Sequence, residues 1–345
     1  MSGGVDSSVA LRLLQEEGHD DLTAFYLKIW LEDELHYLGD CPWEEDLAYA
    51  REVCAAAGVP LEVIPLQRQY WDRVVSYTIS ELEEGRTPSP DIFCNQRVKF
   101  GAFVEEAGAG FDRIATGHYA RVEEDGGLHW LTKGGDPVKD QTYFLSYLDQ
   151  GQLAKCVFPL GALPKNEVRM LAERYGLPNS ARPDSQGICF LGKISYNDFV
   201  RHHLGEKPGD IIRRETGDKL GEHRGFWFHT VGQRRGLGLA GGPWFVCGKD
   251  TGENIVYVSH ADELPQASRR EYRVGPPHWI SEAPGAGPLQ VKLRHSENVY
   301  DCELSAAGEP GYVVRLGSAD AGIAAGQFTV FYKGEVCLGA APILG

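Results

Sequence analysis

The sequence predicts an α/β fold with three parts: an N-terminal parallel sheet covered by helices, a small central domain and a C-terminal β-barrel. Up to about residue 120, short apolar runs alternate with amphipathic periods, which is the pattern of strands and helices in turn. From about residue 200 the chain is rich in Gly, Pro and Arg, and after Arg269 it consists of short alternating runs. We expect domains over residues 1–197, 198–268 and 269–345.

Local signals place the individual elements. Strands are predicted where apolar residues run together, over Leu22–Ile29, Leu61–Leu66 and Arg113–Thr116. Helices are predicted where apolar residues recur with helical spacing and a glycine follows at or near the end, over Val9–Leu14, Glu44–Ala57, Tyr70–Glu83 and Lys165–Tyr175. A hairpin is predicted as an extension of the first domain, over Val122–Thr132. Alternation predicts barrel strands over Gln290–Arg294, Tyr300–Leu304, Tyr312–Leu316 and Phe328–Tyr332.

The composition is that of an ordinary globular protein. Hydrophobic residues make up 42% and charged residues 24%, and no run of apolar residues is long enough to span a membrane, which excludes the membrane and disordered classes. The eight cysteines contain no CxxC pair, so neither a zinc site nor a secreted disulfide framework is indicated, and we expect a reducing compartment. The N-terminus lacks the features of a signal or transit peptide. We expect the cytoplasm for a bacterial protein, and a plastid or mitochondrion for a eukaryotic one.

The net charge of −15 argues against a protein that coats nucleic acid without specificity, but the charge is unevenly spread. Residues 1–150 carry 12 Lys and Arg against 28 Asp and Glu, whereas the remaining residues carry 22 against 21. Six basic residues lie close together in the second half: Arg213, Arg214, Lys219, Arg224, Arg234 and Arg235. They are compatible with phosphate contacts, although a solvated surface is the commoner meaning of such a cluster.

The sharpest local signal is the segment Ser2–Ser8, which reads SGGVDSS and runs directly into a predicted helix. Small residues at a helix start expose backbone N–H groups, and these, together with serine hydroxyls, can hold an anion at the positive end of the helix dipole. The segment is not a Walker loop, because Gly-Lys-Ser/Thr is absent from the sequence, so transfer of a γ-phosphate is disfavoured. A serine-rich N-cap of an ordinary helix is the alternative interpretation.

A second signal is Cys94, which follows Asp91 at a spacing of three. On a helix or turn this spacing puts both side chains on one face, where a carboxylate can take or steer a proton. Cys94 also precedes an amphipathic stretch over Gln96–Ala107, and a helix N-terminus there is expected to lower its pKa. For a lone cysteine, a buried and unreactive side chain is the commoner interpretation.

SGGVDSS resembles the signature of the PP-loop (adenine nucleotide alpha hydrolase-like) ATP pyrophosphatases, which adenylate a carbonyl oxygen and release pyrophosphate. Five further segments narrow the resemblance: residues 85–95 (GRTPSPDIFCN), 115–119 (ATGHY), 139–145 (KDQTYFL), 184–190 (DSQGICF) and 229–238 (HTVGQRRGLG). Together the six segments resemble the bacterial-type tRNA-specific 2-thiouridylases, over Ser2 to Gly339.

The resemblance implies a set of site residues. ATP is expected at Ser2, Gly3, Gly4, Val5, Asp6, Ser7, Leu27 and Gly117. The target base is expected at Ser89, Pro90 and Asp91, and further tRNA contacts at Lys139, Asp140, Gln141, Arg294 and His295. His118 and Gln327 match further site positions. Cys94 matches the catalytic nucleophile, with Asp91 beside it, and Cys189 matches the cysteine that carries a persulfide.

The implied reaction uses ATP to activate O2 of the wobble uridine as an adenylate, and sulfur from the Cys189 persulfide then replaces that oxygen with the help of Cys94. Mg²⁺ is expected to offset charge on the leaving pyrophosphate. The implied partners are tRNA with uridine at the wobble position and a sulfur-relay or cysteine desulfurase protein. The enzyme itself is expected to be a monomer. Between turnovers, Cys94 and Cys189 are expected to be able to form a catalytic disulfide.

The sequence departs from the family pattern in three places. Family members have an apolar strand before the phosphate loop, and its absence before Ser2 leads us to expect a truncated N-terminus. Leu27 stands where the family commonly has Met, and His295 where it commonly has a phenol. Two alternatives follow: another PP-loop ligase that acts on a small molecule, or a tRNA-binding protein that has lost catalysis.

Overall fold

Most of the helices lie in the first part of the chain. The computed structural model describes residues 1–29, 43–184, 195–285, 287–306, 308 and 311–344. Within them the helices are α1 (Val5–Glu16), α2 (Trp43–Ala57), α3 (67–83), α4 (90–106), α5 (Thr142–Leu145), α6 (Gln150–Lys155), α7 (Lys165–Arg174), α8 (Tyr196–Leu204) and α9 (Leu264–Ala267). Two of these helices contain π-helical turns, over Trp71–Val75 and Cys94–Ala102. Single 3₁₀ turns occupy Gly108–Gly110 and Phe226–Phe228.

The strands of the described residues belong to four sheets. In chain order they are β1 (Ala24–Lys28), β2 (Leu61–Pro65), β3 (Ile114–Ala115), β4 (Ala120–Asp125), β5 (Leu128–Lys133), β6 (Cys156–Val157), β7 (Gly209–Arg213), β8 (Lys219–His223), β9 (Trp244–Asp250), β10 (Ile255–His260), β11 (Arg269–Val274), β12 (His278–Trp279), β13 (Leu289–Lys292), β14 (Tyr300–Ala306), β15 (Tyr312–Asp320), β16 (Phe328–Lys333) and β17 (Val336–Pro342). Parallel pairs β1–β2 and β3–β6 lie in the first part, and the order β8-β7-β10-β9 forms the central sheet. The parallel sheet predicted from the sequence is therefore present as two separate pairs.

The C-terminal part is a closed antiparallel barrel. Its strands follow the order β11-β15-β14-β13-β16-β17, and a bridge between Val274 and Ile343 joins the two ends of that path. Closure removes the exposed edges that an open sheet would leave. The hairpin β4–β5 continues this sheet, because Val336 and Cys337 of β17 pair with Thr132 and Leu131 of β5. The hairpin predicted as part of the first domain is thus shared with the barrel.

One hydrophobic core runs from the N-terminal helices into the barrel, and it fixes the two parts against each other. The Phe93 ring of α4 packs edge-on against Phe328 of β16, with centroids 5.6 Å apart. Tyr143 of α5 donates a hydrogen bond to the Phe328 carbonyl oxygen over 3.1 Å and is itself buried. Burial of such aromatic side chains stabilises an interface strongly. The start of α4 is therefore positioned by both parts.

The structure confirms the predicted elements and corrects several of their limits. Each strand and helix predicted for the first part is present, as are the four barrel strands, of which Tyr312–Leu316 extends to Asp320. The first helix begins at Val5, four residues before its predicted start. Helix α4 begins at Pro90 and not at Gln96, because Pro suits the first helical position, where no N–H is needed. Among the described residues, no helix combines the length and apolarity that crossing a bilayer requires.

Candidate functional site

The serine-rich loop forms an anion cradle at the start of α1. Ser2 Oγ and Ser7 Oγ lie 3.1 Å apart, and Ser7 Oγ donates a hydrogen bond to the Gly4 carbonyl oxygen over 3.1 Å. Gly4 is the N-cap of the helix and offers no side chain to its first N–H groups. Because these N–H groups have no partner within a helix, they are available to an anion. This geometry suits an anion, and binding of ATP phosphates at the loop stays a prediction.

Buried side chains hold the loop in this shape. Gly3 has φ of +73°, and a Cβ there would lie 2.2 Å from the Asp46 carbonyl oxygen, so glycine is required. The Gly3 carbonyl oxygen accepts hydrogen bonds from Asn179 Nδ2 at 2.8 Å and Arg182 Nη1 at 3.2 Å. Asn179 is 1% exposed and donates also to Ser8 Oγ. These contacts satisfy the Gly3 carbonyl oxygen and fix the course of the loop before α1.

Gly117 lies directly against the loop. A Cβ on Gly117 would be 2.9 Å from both the Asp6 carbonyl carbon and the Ser7 nitrogen, a separation that real Cβ atoms do not tolerate. Gly117 follows β3, so the carboxyl end of that strand meets the start of α1, where nucleotides bind in α/β folds. The structure therefore brings Gly117 together with Asp6 and Ser7, as the resemblance implied.

Gly117→Ala is expected to weaken ATP binding by at least about tenfold, since the new methyl group displaces the backbone of the phosphate loop and disturbs charge-assisted hydrogen bonds. Calorimetric titration of ATP measures the effect. The matched control is Gly110→Ala, because a Cβ at Gly110 meets nothing within 4 Å. Equal ATP affinities for the two variants would contradict the close packing of Gly117 on the loop.

His118 links this loop to helix α4. Its Nδ1 lies 2.8 Å from Thr116 Oγ1, and its ring packs against Phe158 and against Phe100 of α4, with the latter centroids 6.4 Å apart. Burial, and then the nearby Lys99 ammonium of α4, hold the pKa of His118 well below its ordinary value. His118 is consequently a neutral imidazole at physiological pH, able to accept or donate one hydrogen bond at the site.

Asp91 and Cys94 lie on one face of α4, since they are three residues apart in continuous helix. Cys94 is 1% exposed, and it opens the π-helical stretch Cys94–Ala102, a backbone irregularity that is frequent at functional sites. The prediction that Cys94 lies at a helix N-terminus is wrong, because α4 begins at Pro90 and places the cysteine one turn inside. The helix dipole falls off within the first turn and gives this thiol little assistance.

The predicted target-base segment lies where all three parts of the chain meet. Thr87 N donates to the Ala325 carbonyl oxygen of the barrel over 2.7 Å, and Thr87 Oγ1 is 3.4 Å from Thr230 Oγ1 of the central part. Ser89 N donates to Tyr77 Oη over 3.3 Å, directly before Pro90 starts α4. A segment held from three sides is well suited to present Ser89, Pro90 and Asp91 in a fixed orientation.

Gln327 lies in the barrel beside the same junction. Its backbone N–H donates to Ala324, and its carbonyl oxygen accepts from Ile343. Its neighbour Gly326 is close to the Thr87 carbonyl oxygen, where a Cβ would approach to 2.8 Å. The side chain is partly exposed. The role of Gln327 as a further site position stays a prediction.

Lys139 and Asp140, predicted to touch tRNA, both have partners inside the protein. Lys139 Nζ lies 2.7 Å from Asp184 Oδ2. Asp184 is the last residue of the described range 43–184. Asp140 is 3% exposed and forms an ion pair with Lys292 Nζ of β13, at 3.0 Å. Asp140 Oδ1 accepts a hydrogen bond from Thr142 Oγ1 over 2.7 Å. Asp140 therefore connects the N-terminal part to the barrel.

Gln141 has a structural contact as well. Its Oε1 accepts a hydrogen bond from Tyr119 N over 3.0 Å, and its own backbone N–H donates to the Tyr119 carbonyl oxygen. Tyr119 Oη in turn donates to Asp6 Oδ1 in the phosphate loop, over 2.9 Å. Burial, and then the Asp6 carboxylate, raise the pKa of Tyr119, so its phenol stays protonated and remains a donor. Gln141 thus supports the loop indirectly.

Arg294 and His295 lie at the barrel side of the same region. Arg294 makes a bidentate ion pair with Asp320, at 3.0 and 2.8 Å. His295 Nε2 is 3.2 Å from the Asp140 carbonyl oxygen, and its ring lies 4.5 Å from that of Phe144. Burial lowers the pKa of His295 and favours its neutral form. Contacts of Arg294 and His295 with tRNA stay predictions.

The remaining predicted site residues divide into described and undescribed ones. Leu27 lies in β1, opposite Ile64 of β2. Cys189 lies outside the described residues, so the persulfide position and its pairing with Cys94 stay predictions. Among the described cysteines, all are free thiols, and burial raises the pKa of Cys54, Cys156, Cys302 and Cys337, as expected for structural cysteines.

Three of the six basic residues of the central part, Arg213, Lys219 and Arg224, form ion pairs. Arg213 pairs with Glu263 at 2.7 Å, and Lys219 pairs with Asp210 at 2.7 Å. The other three, Arg214, Arg234 and Arg235, are exposed and make no ion pair within the described residues. Of the six residues, these three arginines offer the most available charge to a nucleic acid.

Sequence reasoning missed Asn179, Arg182 and Lys165, all of which contact the phosphate loop. Asn179 is 176 positions from Gly3, and Lys165 is 159 positions from Asp6. No local pattern pairs residues so far apart. The only sequence signal was indirect, since Lys165 opens a predicted helix.

Three family models match consecutive stretches of the chain: a tRNA methyl transferase HUP domain over residues 1–193, a tRNA methyl transferase PRC-barrel domain over 197–260 and an aminomethyltransferase beta-barrel domain over 269–343. Similar proteins include a protein of Bacteroides fragilis named tRNA-specific 2-thiouridylase MnmA 2, with 48% identity over 99% of this chain and 98% of that protein. Proteins named tRNA-specific 2-thiouridylase MnmA from Parabacteroides distasonis and Porphyromonas gingivalis share 46% and 45% identity, over 100% and 99% of this chain and 97% of each relative. The chain therefore belongs to the tRNA-specific 2-thiouridylase family.

Proposed function

We propose that this protein is an ATP-dependent sulfurtransferase that converts the wobble uridine of tRNA to 2-thiouridine. The full-length match to 2-thiouridylases supports this function. One structural observation carries it: α4, which bears Asp91 and Cys94, packs through Phe100 on His118, and the adjacent Gly117 touches the phosphate loop. The helix that carries Cys94 and the phosphate loop thus border one site. Adenylation followed by sulfur transfer requires both at the same place.

In the proposed reaction, O2 of the uridine attacks the α-phosphorus of ATP, and pyrophosphate leaves. The N–H groups at the start of α1 hold phosphate oxygens, and the junction around Ser89 and Pro90 orients the base. Cys94 then attacks the Cys189 persulfide, a disulfide forms between the two cysteines, and the released hydrosulfide attacks C2 of the adenylated uridine. AMP leaves with the former O2, and Asp91 is placed on the same face of α4 to take the proton of Cys94.

The residues around the loop also suit a phosphate-held Mg²⁺. Asp6 Oδ1 accepts from Tyr119 and Lys165, whereas Oδ2 has no partner in the described part of the chain. Mg²⁺ in nucleotide sites takes one or two carboxylates and completes its shell with phosphates and water, and it offsets charge on a leaving pyrophosphate. The described His, Cys, Asp and Glu residues form no group of three arranged to hold a metal.

Single-turnover sulfur transfer tests the function. The protein is mixed with ATP, a protein persulfide carrying radiolabelled sulfur and unmodified tRNA, and both pyrophosphate and labelled tRNA are measured. We expect both products with tRNA that has uridine at the wobble position, and neither with the same tRNA carrying cytidine there. Pyrophosphate release without tRNA would favour a small-molecule ligase, and tRNA binding with neither product would favour a binding protein.

The remaining proposals follow from the same chemistry. The persulfide on Cys189 requires a sulfur-relay or cysteine desulfurase protein as donor, and the enzyme is proposed to act as a monomer. Because the relatives named above are bacterial, we propose that it works in the bacterial cytoplasm. Domain limits at residues 197 and 268 are retained as a prediction.

A further inference from the structure

Lys165 joins the phosphate loop to a charged cluster on its far side. It is the first residue of α7, and its Nζ lies 2.6 Å from Asp6 Oδ1 and 2.8 Å from Asp184 Oδ1. The side chain is only 15% exposed, so the ammonium is held in place and not dispersed in solvent. Asp6 belongs to the loop itself, which places a fixed positive charge beside the anion cradle.

The charged cluster carries no net charge before any nucleotide binds. Its members are three cations and three carboxylates: Lys139, Lys165, Arg169, Asp6, Asp136 and Asp184. Lys139, Lys165 and Arg169 surround Asp184. The hydrogen bonds from the two lysines outweigh burial and lower the pKa of that carboxyl well below its ordinary value. Asp136 lies alongside and accepts from the backbone N–H groups of Lys139 and Lys165. Without the Lys165 ammonium, the Asp6 carboxylate would repel a polyphosphate arriving at the same helix start.

One N–H group of the Lys165 ammonium is not used by its two ion pairs. An ammonium has three N–H groups, and the ion pairs with Asp6 and Asp184 use two of them. No oxygen or nitrogen atom of the described residues accepts a hydrogen bond from the third, and the Nζ also lies 5.8 Å from the centre of the Tyr119 ring. Charge-assisted hydrogen bonds from lysine to phosphate are among the stronger interactions available at a nucleotide site.

The position of α7 indicates which phosphates it meets. Helix α4, with Asp91 and Cys94, borders the loop through His118, so the α-phosphorus that reacts with uridine faces that side. Helix α7 packs instead on α1 itself, beside Asp6. We propose that Lys165 binds the pyrophosphate portion of ATP and stabilises it as the leaving group, an inference that rests on the proposed function.

Calorimetric titration of the full chain with magnesium pyrophosphate, and separately with AMP, tests this assignment. Lys165→Met is expected to weaken pyrophosphate binding by about 10- to 100-fold, the effect of losing one charge-assisted hydrogen bond, and to leave AMP binding within about threefold. Lys165→Gln provides a second variant if the methionine variant does not fold. Unchanged pyrophosphate affinity, or equal losses for pyrophosphate and AMP, would overturn the proposal.

Tyr119→Phe is the matched control, because it removes the other donor to the same Asp6 oxygen without removing a charge. We expect its pyrophosphate affinity to stay within about threefold of the parent. A loss as large as that of Lys165→Met would show that Lys165 merely orients Asp6, and would overturn direct contact. Because these titrations contain no tRNA, a parent protein that fails in sulfur transfer but shows the Lys165 effect would disprove the proposed function alone.

Discussion

Replacing Cys94 with alanine is expected to lower single-turnover sulfur transfer to tRNA by about 10³- to 10⁶-fold, the range seen when an enzyme loses its nucleophile. Uridine adenylation is expected to continue, because the phosphate loop and His118 do not depend on the thiol. Rapid-quench measurement of pyrophosphate release and of labelled tRNA separates the two steps. The predicted signature is a normal pyrophosphate burst with no thiolated product.

The control for this variant is Cys337→Ala. Cys337 is also 1% exposed, but it lies in β17 of the barrel, and burial raises the pKa of its thiol. Both substitutions remove one buried sulfur and are expected to cost about 1 kcal/mol of unfolding free energy. If Cys337→Ala lost as much sulfur transfer as Cys94→Ala, the effect would come from packing. Transfer at the parent rate in Cys94→Ala would reject Cys94 as the nucleophile.

Sequence-based prediction succeeded here where the cause of a structure is local. Helix α2 is encoded by its own apolar period and by the glycine that ends it, and the phosphate loop is encoded by small residues directly before α1. The start of α4 was missed although its signal is local. The amphipathic stretch over Gln96–Ala107 predicts a later start, whereas the proline at position 90 is itself favoured at the first position of a helix.

Other features depend on residues that are far apart in the chain, and no pattern in one sequence joins them. The pairing of β5 with β17 assigns the hairpin to the barrel, but alternation in either strand does not name its partner. The segment Lys139–Gln141 is singled out only through its resemblance to the family, and its contact with tRNA stays a prediction. Its internal partners were not foreseen, because a lysine and two polar residues suit a nucleic-acid surface equally well.

Substituting Asp140 distinguishes an internal role of this residue from contact with tRNA, and the expected effect is large. Asp140→Asn is expected to lower the unfolding free energy by about 3–5 kcal/mol, since it leaves the buried Lys292 ammonium without its counter-charge. Lys292 is 6% exposed, and water cannot replace the lost carboxylate oxygen. Urea-induced unfolding, followed by tryptophan fluorescence and by circular dichroism, measures the change. We expect this variant also to bind tRNA less tightly, because the packing between the N-terminal part and the barrel is loosened.

The double variant Asp140→Asn with Lys292→Met distinguishes this explanation from direct recognition of tRNA. Methionine is close to lysine in shape and carries no charge, so removing both charges is expected to recover much of the stability that Asp140→Asn loses. If tRNA binding recovers together with stability, Asp140 acts by joining the two parts. If Asp140→Asn is as stable as the parent yet fails to bind tRNA, the carboxylate contacts the nucleic acid, and the buried ion pair is not what makes this residue necessary.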